Sequence, residues 1–223
     1  MKTVVLILSG GIDSSTLLYK YVRDGYLVKC ISFDYGQKHK IELQYASKLA
    51  KLHNLEHKII NVSFMKDILT KSSLTNDNID VPYGEYSKEN MLSTVVPNRN
   101  TILLSIAWAF ACNENADILA YGAQSGDHYL YPDTRLDYFI AINLALRLGT
   151  EDCRKDNLQL EAPLLNLHKH EVIKLGLNYK VDYSLTYSCY QGSELHCGQC
   201  GACQSRKKGF KELNLLDPTK YIV

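Results

Sequence analysis

The sequence predicts an α/β protein, a doubly wound parallel sheet of Rossmann-like type followed by a small C-terminal extension. Short apolar runs alternate along the chain with longer segments of helical apolar spacing, and this alternation favours right-handed βαβ crossovers. Four of the seven cysteines lie within residues 189–203, which distinguishes the C-terminal part chemically. We therefore expect an α/β domain over residues 1–160 and a helical extension over residues 161–223.

The first half of the sheet is predicted from three apolar runs and two intervening helical patterns. Residues 4–8 are apolar and end near two glycines, which favours a buried strand. A helix is predicted next, over residues 16–23. Residues 27–33 are rich in apolar and β-branched side chains, as a second strand requires. Residues 38–53 have the apolar spacing of one helix face, and residues 58–62 form the third predicted strand.

The second half follows a polar stretch, residues 70–98, whose two prolines and one glycine predict a long loop. A strongly apolar helix is predicted over residues 100–113, and a fourth strand over residues 117–121. The remaining predicted elements are a helix over 138–148, a short strand over 158–160 and a helix over 169–177.

Composition and hydropathy exclude two classes of protein. The chain has 25 Lys and Arg against 24 Asp and Glu, a net charge of +1, so it lacks the strongly basic surface that binds long nucleic acid. The longest apolar segment, residues 102–112, is shorter than the ~18 residues that cross a bilayer. The run at residues 4–8 is also shorter than a signal-peptide core. We expect a cytoplasmic protein that contacts neither a membrane nor, directly, a nucleic acid.

A glycine-rich loop, Ser9-Gly10-Gly11-Ile12-Asp13-Ser14-Ser15, joins the first strand to the next helix. Two glycines let the backbone turn sharply and approach a ligand, and the free N–H groups of a helix start bind anions. A carboxylate among such groups predicts that Asp13 is a magnesium contact or a charge-balancing helix cap. The loop lacks the third glycine of a dinucleotide fingerprint and the GK[ST] of a Walker A loop. An ordinary N-cap turn is the alternative.

A cysteine cluster has the spacing C-x₇-C-x₂-C-x₂-C and comprises Cys189, Cys197, Cys200 and Cys203. Four thiolates that turn toward one point complete a tetrahedron around Zn²⁺, and such a closed site stabilises the fold. The alternatives are an iron–sulfur cluster, a redox pair, and a nucleic-acid-binding zinc module that uses the basic run at residues 206–211. The other cysteines are expected to be core or bystander thiols: Cys30, Cys112 and Cys153.

The motifs resemble those of a known enzyme family. The loop SGGxDSS is similar to the PP-loop of ATP pyrophosphatases, which hold the pyrophosphate portion of ATP while they adenylate a substrate. Six segments in order resemble the QueC family of 7-cyano-7-deazaguanine synthases in queuosine biosynthesis. They are LSGGIDSSTLL (8–18), FDYGQKH (33–39), VPNRN (96–100), GDHYLYPDTR (126–135), EAPLLNLHKHE (161–171) and SCYQGSELHCGQCGACQSR (188–206).

This resemblance implies a fold of the adenine nucleotide alpha hydrolase type and an ATP-dependent ligation. In the implied reaction, 7-carboxy-7-deazaguanine, ammonia and two ATP give 7-cyano-7-deazaguanine through an adenylated carboxylate and an amide. Attaching AMP turns a poor acceptor for ammonia into a good one, so the protein chiefly aligns its substrates and stabilises departing pyrophosphate. The implied cofactors are ATP, Mg²⁺ and Zn²⁺, and we expect a homodimer.

The resemblance also implies roles for individual residues. The expected catalytic residues are Asp13, Ser14 and Arg99. The residues expected to bind ATP are Leu8, Ser9, Gly10, Gly11, Ile12, Asp13, Ser14, Ser15, Phe33 and Gln37. The residues expected to bind the substrate are Asn100, Asp127, Asp133, Arg135 and Lys169. Zn²⁺ is expected at the four clustered cysteines.

The position and charge of several of these residues also favour the implied roles, and some of them have an alternative role. Arg99 at a helix start opposes the helix dipole, which indicates a bound anion, and Asn98 or Asn100 is expected to cap that helix. Asp127 or Asp133 can accept the N–H donors of a guanine-like edge, or can instead cap the next helix. Lys169 can neutralise phosphate, or can be a solvated lysine in a first helical turn.

One motif departs from the family pattern. The family usually has YPDCR, and here Thr134 stands in place of the cysteine. The change keeps the neighbouring Asp133 and Arg135, so we expect recognition of the base to be retained. The departure leaves open an enzyme that stops at the amide or a ligase that joins the acid to another amine. A tRNA thiolase and an ATP-binding sensor without chemistry are separate alternatives.

Overall fold

The computed structural model describes residues 1–85, 87, 91–127, 131–150 and 158–222, with only the backbone of residue 127 included. Its strands form one parallel sheet in the order β3-β2-β1-β4-β5. The strands are β1 (Thr3–Ile7), β2 (Leu27–Asp34), β3 (Glu56–Asn61), β4 (Ile118–Ala120) and β5 (Gln159–Glu161). Each predicted strand is present within two residues of its expected bounds, and the predicted fold class is confirmed.

The sheet topology creates a crevice beside the first strand. β1 pairs with β2 on one side, with Val4 opposite Val28, and with β4 on the other, with Val4 opposite Ile118. The sheet therefore grows from β1 first in one direction and then in the other. Ligands of open parallel sheets bind at this reversal, beyond the carboxyl ends of the strands. The loops that follow β1 and β4 both begin at this edge.

Seven α-helices occur in the described part of the chain. They are α1 (Ile12–Arg23), α2 (Glu42–Leu52), α3 (Met65–Ile68), α4 (Arg99–Asn113), α5 (Leu136–Leu148), α6 (Lys169–Asn178) and α7 (Gly201–Glu212). Within the predicted loop at residues 70–98, the described residues contain no strand and only part of one helical turn.

Two predicted helix starts are wrong. α1 begins at Ile12 instead of residue 16, because Gly11 has the extended conformation of an N-cap residue (φ −81°, ψ 174°). α2 begins at Glu42 instead of residue 38, because residues 38–41 form a turn. The side chain of Gln37 stabilises the backbone before this turn, since it bonds to the amide of Tyr35 and to the carbonyl of Phe33. Both differences place polar side chains at the carboxyl edge of the sheet.

Strand side chains alternate between two buried layers, as the pleat requires. Val4 and Leu6 of β1 pack in the layer covered by α1, α2 and α6, whereas Val5 packs in the layer covered by α4. Segments beyond residue 160 enter both layers: Phe210 belongs to the first and Tyr187 to the second. Residues on both sides of position 160 thus pack in the same two clusters. The domain boundary expected at residue 160 stays a prediction.

Two further expectations concern the lone thiols and the membrane. Cys30 is buried, and burial raises its pKa to about 12, which agrees with an inert core thiol. Cys112 is half-buried, and Cys153 lies outside the described residues.

Among the residues described, no helix has the length and apolar character needed to span a membrane.

Candidate functional site

The glycine-rich loop after β1 is pressed against the start of α2. Gly10 has φ +81°, and a Cβ atom on it would lie 2.7 Å from the carbonyl oxygen of Glu42 and 2.8 Å from the amide nitrogen of Ala46. Neither contact is tolerable, since both involve backbone atoms. Two features therefore require glycine at position 10: the left-handed backbone conformation and the close approach of the α2 backbone.

Two serine hydroxyls hold the loop in shape. The Oγ atom of Ser14 accepts a hydrogen bond from the amide of Ser9 at 3.1 Å and lies 3.0 Å from the Oγ atom of Ser9. No side chain caps α1 at Gly11, so the alternative of an ordinary serine or aspartate N-cap is wrong. The first N–H groups of α1 lack a side-chain partner at the cap, which favours an anion at this helix start.

Asp13, in the first turn of α1, forms an ion pair with a distant lysine. Lys169 Nζ donates to the two carboxylate oxygens of Asp13 at 2.8 and 2.7 Å. Lys169 begins α6, where the amide of His168 donates to the Glu171 carboxylate at 2.7 Å. The structure thus brings together the predicted metal contact and the predicted phosphate contact, although 156 positions separate them in the sequence.

The end of β4 closes the other side of the loop. A Cβ atom on Gly122 would lie 3.2 Å from both the Cβ atom of Asp13 and the amide nitrogen of Ser14, so a glycine lets the two strand ends approach. The hydroxyl of the preceding Tyr121 is buried and has no hydrogen-bond partner among the described residues. An unpaired buried hydroxyl at this edge indicates that a polar ligand completes the site.

A cavity of about 280 Å³ lies over these loops. Its walls include Ser9, Gly11, Ile12, Asp13 and Ser14 from the glycine-rich loop, Arg99 and Asn100 from α4, and Lys169 from α6. The cavity is also lined by residues that were not among the predicted site residues: Tyr35, His39, Glu42, Tyr121, Tyr187, Ser188 and Tyr190.

Arg99 lies where α4 begins and brings a positive charge to the cavity. Its guanidinium is 5.7 Å from the centre of the Tyr35 ring, and its Nε atom donates to Asn100 Oδ1 at 3.3 Å. Burial lowers the pKa of Arg99, but interactions with Tyr35 and Asp133 outweigh burial and raise it above its ordinary value. The group therefore stays protonated and available to an anion.

The expected asparagine cap of α4 is wrong. Asn98 occupies the N-cap position in a left-handed conformation, with φ 59°, but its side chain makes no capping hydrogen bond. Asn100 lies inside the helix, and its side-chain amide donates to the backbone oxygen of Asp133 at 3.3 Å. The asparagine thus ties α4 to the segment that follows β4.

A second cavity, of about 540 Å³, lies on the far side of Arg99. Asp133 and Arg135 line this second cavity, and Arg99 lines both. Thr134 between them is buried and lines the first cavity, and its hydroxyl donates to the backbone oxygen of Tyr131 at 2.8 Å. The side chain of Asp127, and all of His128, lie outside the described residues.

Half of the residues expected to bind ATP do not line the first cavity. Gly10 and Ser15 belong to the loop but not to the cavity wall, and Leu8 and Phe33 are core residues. Gln37 is 3% exposed, and its side-chain amide donates to Glu42 Oε1 at 2.9 Å. These residues shape the site from behind, so direct contact between them and ATP stays a prediction.

The cysteine cluster is assembled as predicted. The sulfur atoms of Cys189, Cys197, Cys200 and Cys203 all lie within 4.8 Å of one another. Backbone amides of Gln199 and Cys200 donate to the sulfur of Cys197 at 3.4 and 3.3 Å. Hydrogen bonds from Cys200 and Cys203 lower the pKa of Cys189, so negative charge is stabilised where a cation would bind.

Comparison with known proteins decides the family. The family model described as "Queuosine biosynthesis protein QueC" matches residues 3–214. The chain belongs to the QueC family. Its QueC relatives include the 7-cyano-7-deazaguanine synthases of Caldicellulosiruptor saccharolyticus, 45% identical over 97% of this chain and 94% of the relative, and of Methanoregula boonei, 46% identical over 97% and 98%. The 7-cyano-7-deazaguanine synthase 2 of Colwellia psychrerythraea is 43% identical over the whole of both chains.

Two solved structures share the fold of this QueC chain. A 4-thiouridine synthetase, determined with RNA and ATP, superposes with a TM-score of 0.53 at 14% identity, over 96% of this chain and 50% of that one. The NMN synthetase of Francisella tularensis gives 0.51 at 18% identity, over 96% and 78%. These likenesses agree with the predicted sheet and helix arrangement.

Proposed function

We propose that this QueC-family chain is an ATP-dependent ligase that converts 7-carboxy-7-deazaguanine and ammonia into 7-cyano-7-deazaguanine. One observation carries the proposal: the cavity at the sheet edge combines the PP-loop with Asp13, Arg99 and Lys169, in a chain about 45% identical to named synthases over nearly its whole length. The cavity thus has the anion-binding groups that adenylation requires.

ATP is proposed to bind with its phosphates over the start of α1. The loop amides and the guanidinium of Arg99 would stabilise the charge that develops on departing pyrophosphate. Asp13 offers the carboxylate oxygens that Mg²⁺ prefers, and the ion would neutralise phosphate charge. We expect Lys169 to exchange the Asp13 carboxylate for phosphate oxygens when ATP binds.

The deazaguanine acid is proposed to lie between the two cavities, with its carboxylate toward the PP-loop. Arg99 lines both cavities, so its guanidinium can bind the carboxylate of the acid beside the phosphates of ATP. Asp133 lines the second cavity and offers a carboxylate to the N–H donors of the base. Asp127, Arg135 and Asn100 remain proposed substrate residues.

The metal is proposed to be one structural Zn²⁺. Zinc–sulfur bonds of about 2.3 Å give tetrahedral sulfur separations of about 3.8 Å, and the sulfurs of Cys197 and Cys203 are 3.9 Å apart. A single ion fits this spacing better than an iron–sulfur cluster, because cluster thiolates bind different iron atoms and stand further apart. With four thiolates the site has no open position, so the ion would stabilise the fold.

We also propose a cytoplasmic homodimer that has no direct contact with nucleic acid. α5 supports the dimer, because Ile142 is its one buried side chain while a stripe of apolar residues is exposed: Leu136, Ile140, Leu144 and Leu148. Such a stripe marks a surface that another apolar face covers. Light scattering of the wild type and of Ile140→Glu tests this: we expect a dimer and a monomer, and a monomeric wild type contradicts it.

The enzymatic proposal is tested by mass analysis of the product formed from ATP, ammonia and the acid. We expect the nitrile and two AMP per nitrile, and we expect Asp13→Asn to give neither. Accumulation of the amide alone indicates an enzyme that stops after one activation. Recovery of unchanged acid and ATP contradicts the proposed function and favours a non-catalytic nucleotide sensor.

A further inference from the structure

A carboxylate in the wall of the first cavity, Glu42, has no role in the function proposed above. Glu42 is the first residue of α2, and its side chain is 15% exposed. It lines the same cavity as the PP-loop residue Asp13 and as Arg99. Its position follows directly from the turn that makes α2 begin later than the apolar pattern predicts.

Neighbouring side chains hold this carboxylate in a fixed orientation. Gln37 Nε2 donates to Glu42 Oε1 at 2.9 Å, and the same oxygen is 3.7 Å from His39 Nε2. Gln37 is itself fixed, because its Oε1 accepts from the Tyr35 amide at 2.8 Å and its Nε2 donates to the Phe33 carbonyl at 3.0 Å. Glu42 is therefore preorganised by contacts within residues 33–42.

The electrostatic surroundings set Glu42 apart from the other carboxylate lining the cavity. Burial raises the pKa of Glu42 to about 7, although the hydrogen bond from Gln37 and the charge of Arg99 lower it. Burial and Arg99 lower the pKa of His39 to about 3, so that imidazole is a weak base. The other ionisable groups lining the cavity are Asp13, Tyr35, Arg99, Tyr121, Lys169, Tyr187, Tyr190 and Arg206. Of these, Asp13 is the other carboxylate, and Lys169 neutralises it.

The nitrogen loses three protons between ammonia and the nitrile, and two of these losses accompany the departure of AMP. Ammonia attacks the acyl-adenylate, and the adduct must lose a proton from nitrogen as the carbon–oxygen bond to AMP breaks and the amide forms. Adenylation of the amide oxygen releases the second N–H proton and gives an adenylated imidate. This imidate must lose its last N–H proton as AMP departs with the former amide oxygen and the carbon–nitrogen triple bond forms. A positioned carboxylate with a pKa near the working pH suits both transfers.

We propose that Glu42 is the general base that takes the proton from nitrogen in both steps, an inference that rests on the ligase function proposed above. Its carboxylate stands in the cavity where PP-loop, Arg99 and substrate would meet. The ionised carboxylate can also attract an ammonium ion by its charge. Deprotonation of that ion by Glu42 would yield the nucleophile in place.

The test compares Glu42→Gln with the wild type in two partial reactions. Glutamine keeps the hydrogen bond to Gln37, so we expect a folded protein whose acid-dependent exchange of pyrophosphate into ATP is unchanged, because adenylation needs no proton acceptor. Amide and nitrile formation from ammonia should fall roughly 10²–10³-fold. Glu194→Gln, at an exposed position, is the matched control and should behave as the wild type in both assays.

Two further measurements separate a general base from a structural role. Hydroxylamine is uncharged at neutral pH, and its adduct loses the nitrogen proton to water more readily than the ammonia adduct because the hydroxyl group makes that proton more acidic. It should therefore restore acyl transfer in Glu42→Gln and give the hydroxamate at close to the wild-type rate. The wild-type rate with ammonia should fall below about pH 7, and this limb of the profile should vanish in the variant.

The outcomes keep the two proposals distinguishable. Full nitrile formation by Glu42→Gln, or loss of its pyrophosphate exchange together with failure of hydroxylamine, overturns the role of Glu42 and leaves the ligase intact. A wild-type protein without acid-dependent exchange overturns the ligase and, with it, this inference.

Discussion

Replacing Gly10 by alanine tests how the PP-loop is built, and Gly25 supplies a matched control. The two glycines have nearly the same conformation, with φ +81° and +82°. A Cβ atom on Gly25 meets nothing within 4 Å, whereas on Gly10 it meets the backbone of Glu42 and Ala46 at 2.7 and 2.8 Å. The two substitutions therefore share a conformational cost but differ in steric cost.

The expected magnitudes follow from these contacts. A left-handed alanine costs about 1–2 kcal/mol, so Gly25→Ala should lose that amount of unfolding free energy. Gly10→Ala should lose about 1–3 kcal/mol more, because α2 backbone atoms must move to admit the methyl group. The entropy that alanine removes from the unfolded chain is the same at both sites and cancels in the comparison.

Equilibrium unfolding in urea, with the metal retained, measures the difference. We expect Gly10→Ala to have the lower midpoint at an unchanged slope, and to lose pyrophosphate exchange that Gly25→Ala keeps. Equal losses of stability in the two variants would show that the loop is not pressed against α2, and would refute this reasoning.

Three other substitutions test separate parts of the molecule. Cys200→Ser should lose the bound metal and lower the melting temperature while ATP affinity changes little; an unchanged melting temperature contradicts a structural ion. Asp133→Ala should raise the KM for the acid at least tenfold, since an unpaired N–H donor costs about 1–3 kcal/mol, and normal acid binding moves the pocket elsewhere. Burial raises the pKa of Asp217, but Arg206 outweighs it and holds that pKa below its ordinary value. This stabilisation is present above the ordinary pKa and is lost as pH falls below about 4. Asp217→Asn should therefore flatten the acid limb of stability, and an unchanged limb contradicts the pairing.

Local signals in the sequence predict much of the fold and part of the site. The apolar run before Ser9 becomes β1, the two glycines become the loop, and the cysteine spacing brings four sulfurs together. The steps in each case involve neighbours in the chain, where spacing and conformational preference act directly.

Contacts between distant segments carry no such signal. The pairing of Asp13 with Lys169 spans 156 positions, and neither residue alone indicates it. The apolar spacing of residues 38–53 predicts that Glu42 lies inside a helix. In the structure a turn stabilised by Gln37 makes it the first helical residue, at the cavity. Gly122 offered one signal, a glycine directly after a strand, which often marks close backbone approach.

If the chain activates first the acid and then its amide through AMP, both carboxylate oxygens leave on AMP, and oxygen labelling tests this most directly. Acid carrying ¹⁸O in both carboxylate oxygens is converted with unlabelled ATP and ammonia, and the products are weighed by mass spectrometry. We predict an unlabelled nitrile and two AMP molecules, each with one ¹⁸O, because each AMP departs with one carboxylate oxygen. Label found in inorganic phosphate or water, with none in AMP, would contradict the account.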